Sequence, residues 1–108
     1  MINAEIVRGK SGSVVGFKVE NHGDGRVCAA ISLLVQNTVN SLELLTEDDF
    51  YGQFNDVDKD WGYITFQFKD LENQSDGAKI LLDAMALGLE STRDKYPAEV
   101  SIITRAVP

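Results

Sequence analysis

The apolar pattern of this chain switches period along its length, and that switching limits the folds open to it. Ile2, Ala4 and Ile6 alternate with Asn3 and Glu5, the two-residue period of a half-buried strand. Gly9-Lys10-Ser11-Gly12 supplies a turn, because glycine reaches positive φ without steric cost. Val15, Phe17 and Val19 then oppose Lys18 and Glu20, so a second strand and a hairpin are expected. From Val27 to Leu45 the spacing becomes helical. Val27, Ile31, Leu34, Val35, Thr38, Leu42 and Leu45 share one face, with Gln36, Asn37, Asn40 and Glu43 opposite.

The same sequence of periods then repeats. Phe50 to Val57 and Trp61 to Phe68 bracket the polar turn Asp58-Lys59-Asp60, which predicts a second hairpin. In its second strand Ile64, Phe66 and Phe68 oppose Trp61, Tyr63, Thr65 and Gln67. That second set either lines a groove or is covered, and a covered sheet is the favoured expectation. Ser75 or Asp76 can cap a helix that runs to about Lys95 and stops before Pro97. Its middle, Ile80 to Leu89, is apolar on more than one face, which makes it either the central element or part of a subunit contact. Gly88 within it suggests close approach of another backbone. Val100 to Val107 closes the chain as a strand. The order ββαββαβ predicts a two-layer α/β (α+β) domain, a sheet of about five strands with both helices packed on it.

At 108 residues the chain suits a single domain spanning 1–108. Seventeen acidic against ten basic residues give a net charge of -7. That balance argues against direct nucleic-acid binding, which needs clustered Lys and Arg, and suits a basic partner. One cysteine and one histidine fall short of a structural metal site and allow no internal disulfide. Neither metal nor cofactor is expected. No basic-then-apolar leader opens the chain, and no apolar run is judged to approach the ~20 residues of a membrane span. A cytoplasmic location away from the membrane is the expectation.

The single histidine and single cysteine sit six positions apart, in His22-Gly23-Asp24-Gly25-Arg26-Val27-Cys28-Ala29-Ala30-Ile31-Ser32. Asp24, or alternatively Gly25, can cap the first helix, which puts Cys28 in its first turn. Amides and the helix dipole stabilise negative charge there, and Arg26 adds a positive charge nearby. Such surroundings favour a thiolate. A histidine from the preceding strand can take the thiol proton and return it to a leaving amine. The free N–H groups of the same turn suit a tetrahedral oxyanion. Ser32 follows Cys28 by one helical turn and shares its face. The competing reading is ordinary packing: cysteine is among the most buried residue types, and Ala29-Ala30-Ile31 follows it.

His22 followed by Val27-Cys28-Ala29-Ala30-Ile31-Ser32 resembles the ribosomal-processing cysteine protease family, Prp. Leu34 and Thr38-Val39-Asn40-Ser41-Leu42-Glu43 are similar to that family's first helix, and Ala84-Met85-Ala86-Leu87-Gly88-Leu89 and Lys95-Tyr96-Pro97 to its second. The resemblance implies a homodimeric cysteine protease that trims the N-terminal extension of a large-subunit ribosomal protein before ribosome assembly, cutting after an aromatic residue. It implies Cys28 as nucleophile, His22 as base and Ser32 in the site; Asp24 and Arg26 are supporting candidates by their position beside the cysteine. The chain departs from the family in reading Asn21-His22-Gly23 for Gly-His-Ala. Its loop between histidine and cysteine is also shorter, and Gly25 stands where an acid often precedes the cysteine. The shortened loop motivates an alternative, a non-catalytic homodimeric module that binds a peptide or ribosomal protein on the same fold.

Overall fold

The structure, a computed structural model, describes residues 1–20, 25–55 and 63–107. The elements are β1 (Ile2–Arg8), β2 (Val14–Glu20), α1 (Gly25–Leu45), β3 (Phe50–Asn55), β4 (Tyr63–Phe68), α2 (Asp76–Lys95) and β5 (Val100–Ala106). They form one five-stranded sheet in the order β3-β4-β2-β1-β5. The ββαββαβ order and both hairpins agree with the sequence. β1 pairs antiparallel with β2, and β3 with β4. β2 joins the two hairpins through β4, and β5 adds parallel to β1.

This topology explains why there are two layers rather than three. The connections β2–α1–β3 and β4–α2–β5 each join parallel strands. They step in opposite lateral directions from strands that themselves run oppositely. Right-handed crossovers, the strongly preferred hand, then place both helices on one face of the sheet, antiparallel to each other. Ile2, Ala4, Ile6, Phe17, Val19, Ile64, Phe66, Phe68 and Val100 line that face. They share one core with Ile31, Val35, Val39 and Leu42 of α1 and Leu82, Met85 and Leu89 of α2. Phe17 stacks on Phe66 at 5.2 Å between ring centroids, and Phe66 meets Phe68 edge-on at 5.0 Å. Such arrangements add ~0.5–1.5 kcal/mol each beyond the area they bury.

Four expectations need correction. Leu45, placed on the inner face by spacing, is exposed; it ends the helix, beyond the reach of the sheet beneath. Val39, not assigned by the sequence, is buried instead. α2 is not a central element, because Ile80 and Leu87 on its outer side are exposed. The second sheet face is not covered by the described residues. It is a concavity of about 500 Å³ lined by Glu5, Val7, Lys18, Tyr51, Gln67 and Arg105, among others. Arg105 donates to Glu5 across that face through Nε at 3.1 Å and Nη2 at 2.9 Å. Lys18 pairs with Glu20 at 2.8 Å, and the Lys69 ammonium sits 5.1 Å from the Tyr51 ring centroid. Trp61 lies outside the described residues. On length and composition, α1 is also apolar enough to cross a membrane. The sequence count missed this because polar residues interrupt the run, and the fold packs its apolar face into the core.

A polar relay joins the end of α1 to the start of α2. The Thr46 hydroxyl donates to the Leu42 carbonyl at 2.7 Å and accepts from the Asp48 amide at 3.4 Å. The Asp48 carboxylate accepts from the Ser75 amide at 2.8 Å and the Ser75 hydroxyl at 2.5 Å. Ser75 in turn caps α2 by accepting from the Ala78 amide at 3.1 Å. Burial pushes the Asp48 carboxyl up, but the Ser75 and Thr46 hydrogen bonds outweigh it and hold the group below its ordinary 3.8.

Candidate active site

β2 ends at Glu20, in the middle of the sheet, and α1 begins at Gly25. The end of a central strand and the start of the helix that follows it are the usual position for chemistry on open α/β scaffolds. His22 and Asp24 fall in 21–24 and lie outside the described residues.

Gly25 opens α1 with a φ of 78°, in the left-handed region that glycine reaches at no steric cost. A Cβ there would meet nothing within 4 Å, so the requirement is conformational rather than one of space. Asp24, the other candidate cap, lies outside the described residues. The chain turns at Gly25 and enters the helix at Arg26, which is exposed.

Cys28 falls in the first turn of α1, as its position in the sequence predicts, and is buried with a relative exposure of 6%. Val27 beside it and Ile31 beyond it are also buried, so the start of α1 is held against the core. No acidic side chain lies in this turn. The partial positive charge of the helix start is therefore not cancelled from within the helix, and it favours an anion at that end. Ser32, one turn on and half-buried, shares the face that carries Cys28. The structure thus brings Cys28 and Ser32 together on one side of one helix, with Arg26 on its outer surface.

The lining of the sheet-face groove does not include Cys28. Among the described residues no group of three or more His, Cys, Asp or Glu is placed to hold a metal ion. The Asp48–Ser75 relay went unnoticed in the sequence. An N-cap serine was legible there, but its carboxylate partner is 27 residues away.

The sequence matches the family described as cysteine protease Prp over residues 1–101. The chain belongs to the Prp family. The ribosomal processing cysteine protease Prp of Bacillus subtilis is 25% identical over 115 residues, covering 99% of this chain and 100% of that protein. Among solved structures, SMU.848 from Streptococcus mutans superposes with a TM-score of 0.82 at 26% identity, covering 99% of each chain. Prp from S. aureus, in complex with a covalently linked product peptide, gives a TM-score of 0.81 at 23% identity, over 97% of this chain and 100% of that one. At that identity the second likeness is one of fold. The five-stranded mixed sheet with two helices is thus the Prp fold, and Cys28 is the cysteine of a Prp-family chain.

Proposed function

We propose that this chain is a cysteine endopeptidase that removes the N-terminal extension of a large-subunit ribosomal protein during ribosome maturation. The observation that carries the reading is the chain's single cysteine in the first turn of a core-anchored helix, in a member of the cysteine protease Prp family. Its relatives include a ribosomal processing protease and one bound to a product peptide, which supports a peptide substrate.

In this mechanism the Cys28 sulfur, favoured as thiolate by the helix start, attacks the scissile carbonyl carbon. His22 takes the thiol proton and delivers it to the leaving amine, and water then hydrolyses the thioester. First-turn N–H groups receive the tetrahedral oxyanion. Ser32 and Asp24 orient the pair, and Arg26 adds positive charge on the outer side. The net charge of -7 suits a basic precursor. The protein acts in the cytoplasm as a homodimer, and needs no metal or cofactor.

A synthetic peptide carrying the extension tests this directly. The wild type cleaves it, while Cys28→Ala and His22→Ala lose at least ~10³-fold in rate with unchanged circular dichroism. Cleavage surviving in Cys28→Ala removes the assignment. The low exposure of Cys28 favours one other reading, a homodimeric module that binds a peptide without cutting it. Stable co-purification with uncut precursor supports that module; single-turnover cleavage eliminates it.

A further inference from the structure

We infer that the peptide substrate is held as a sixth strand along the outer edge of β3, with Gly52 setting which side chain fits beside it. This rests on the peptidase reading above and adds how the chain to be cut is gripped. α1 joins β2 to β3 across β4, so β3 is the sheet edge on the side where α1 lies. α2 packs instead on β2 and β5. Leu34 marks the flank of α1 that meets α2, since a Cβ on Gly88 would lie 2.8 Å from its Cδ2. Cys28 and Ser32 are turned from Leu34 by about 120° and about 160° around the helix axis, with buried Ile31 between. Their flank therefore faces away from α2, towards β3.

The ladder between β3 and β4 fixes which backbone groups that edge presents. The Lys69 amide donates to the Asp49 carbonyl at 3.0 Å, one step before the Phe50–Phe68 pair in the same register. Hydrogen-bonded and non-hydrogen-bonded positions alternate along an antiparallel pair. Tyr51, Gln53 and Asn55 therefore bond to β4, opposite Gln67, Thr65 and Tyr63. The N–H and C=O groups of Phe50, Gly52 and Phe54 point the other way, along an edge that no strand pairs with among the described residues.

Two properties select an extended peptide as the occupant. The first is an undefended edge. β3 reads Phe-Tyr-Gly-Gln-Phe-Asn, with neither charge nor proline, in a chain that is 25% charged. Charges and prolines are what keep foreign strands off an edge, and main-chain pairing along an open edge is a recurrent way of holding a peptide. The other edge strand, β5, carries Arg105, tied to Glu5 of β1. The second property is a gap beside the site. Phe50 and Gly52 fall on the helix side of the sheet, opposite buried Phe68 and Phe66. Gly52 is exposed, and the nearest atoms its absent Cβ would meet belong to the Phe50 ring, 3.4 Å away. That ring lies 4.8 Å from the Phe66 ring, centroid to centroid. Residues directly opposite each other on paired strands share a face, so the substrate residue across from Gly52 points to the helix side. It meets an aromatic floor with no side chain in its way, below the flank of α1 that carries Cys28. Main-chain bonds accept any sequence; this position selects a large apolar side chain.

Hydrogen exchange of the Cys28→Ala chain, with and without the synthetic extension peptide, tests the proposal. The peptide should slow the amides of Phe50, Gly52 and Phe54 by at least ~10-fold and leave the outer-edge amides of β5 unchanged. Methylating the peptide's amide nitrogens one at a time should weaken binding by ~10-fold at every second position. With the cysteine in place, Gly52→Val should raise KM by at least ~10-fold while keeping the wild-type circular dichroism. Changing one large apolar residue of the peptide to alanine should erase that difference between Gly52→Val and wild type. A KM rise that no alanine variant of the peptide relieves overturns the role of Gly52. A peptide that is cut while the three amides stay unprotected overturns the added strand and spares the peptidase reading. A peptide that protects them and is never cut keeps the strand and removes the peptidase. Protection that follows protein concentration rather than peptide assigns the edge to a second copy, which also overturns the proposal.

Discussion

Gly88 and Leu34 face each other across the helix pair, and the fit between them is a matter of single methyl groups. An added Cβ would come within 2.8 Å of one Leu34 methyl and 3.2 Å of the other. Alanine gains up to ~1 kcal/mol of helix propensity over glycine, while overfilling a packed contact costs ~1–3 kcal/mol. Gly88→Ala should therefore lose about 1 kcal/mol net by urea unfolding. In a Leu34→Ala background the same change should be neutral or stabilising, and a double-mutant cycle reads the difference. Gly88 was conspicuous in the sequence as a glycine within a helical run, but its close neighbour is the Leu34 side chain and not the backbone expected there, because a one-dimensional pattern carries no interhelical register. Cys28 was legible down to its turn of helix, since periodicity alone dates the start of α1. Its shallow exposure was not, because that depends on how the helix start tilts onto the sheet.

Among the elements, the α1–β3 connection ties the end of α1 to the start of α2 by hydrogen bonds. The Asp48 carboxylate receives two hydrogen bonds from Ser75, and the helix caps on both sides depend on the chain of contacts through it. A carboxylate held below its ordinary value contributes stability that is fully present above about 3.8, and loses it as pH falls through the lower folded-state value. Melting temperature should therefore drop as pH is lowered from 4 towards 2 (an order-of-magnitude window set by ordinary Asp values). Asp48→Asn should flatten that limb while lowering stability at neutral pH by about 1 kcal/mol or less, given the group's exposure. Asp70 is also held low, by the Asn73 side chain and the Glu72 amide, but it is fully exposed and should contribute little. The helices and strands themselves were readable from period and punctuation. The long-range carboxylate that clips them was not.

At the scale of the whole molecule, the strand order shows what lay beyond the sequence. Alternation identified five strands, but period says nothing about neighbours. The order comes from β4 pairing with β2, which joins the two hairpins, and from β5 taking the free edge of β1. The open sheet face followed too: with both helices spent on one side, nothing in the described chain is left to cover the other. The inner strands β4, β2 and β1 have partners on both sides, whereas β3 and β5 have one each. Native-state hydrogen exchange should accordingly be slowest for inward-bonded amides of β1 and β2 and faster along β3 and β5. Equal protection across all five strands would contradict this arrangement.

The parallel pairing of β1 with β5 also sets a timetable. Glu5 and Arg105, joined by paired hydrogen bonds, are 100 residues apart in sequence, and the pairing runs from Ile2 to Arg8. One of the first strands to be synthesised thus waits for the last before both of its edges are satisfied. Until residue 106 has emerged, a nascent molecule offers a bare apolar-faced edge beside its first hairpin. Folding that must close so long a loop is slow, so the finished sheet is available only once translation of the strand that seals it is over.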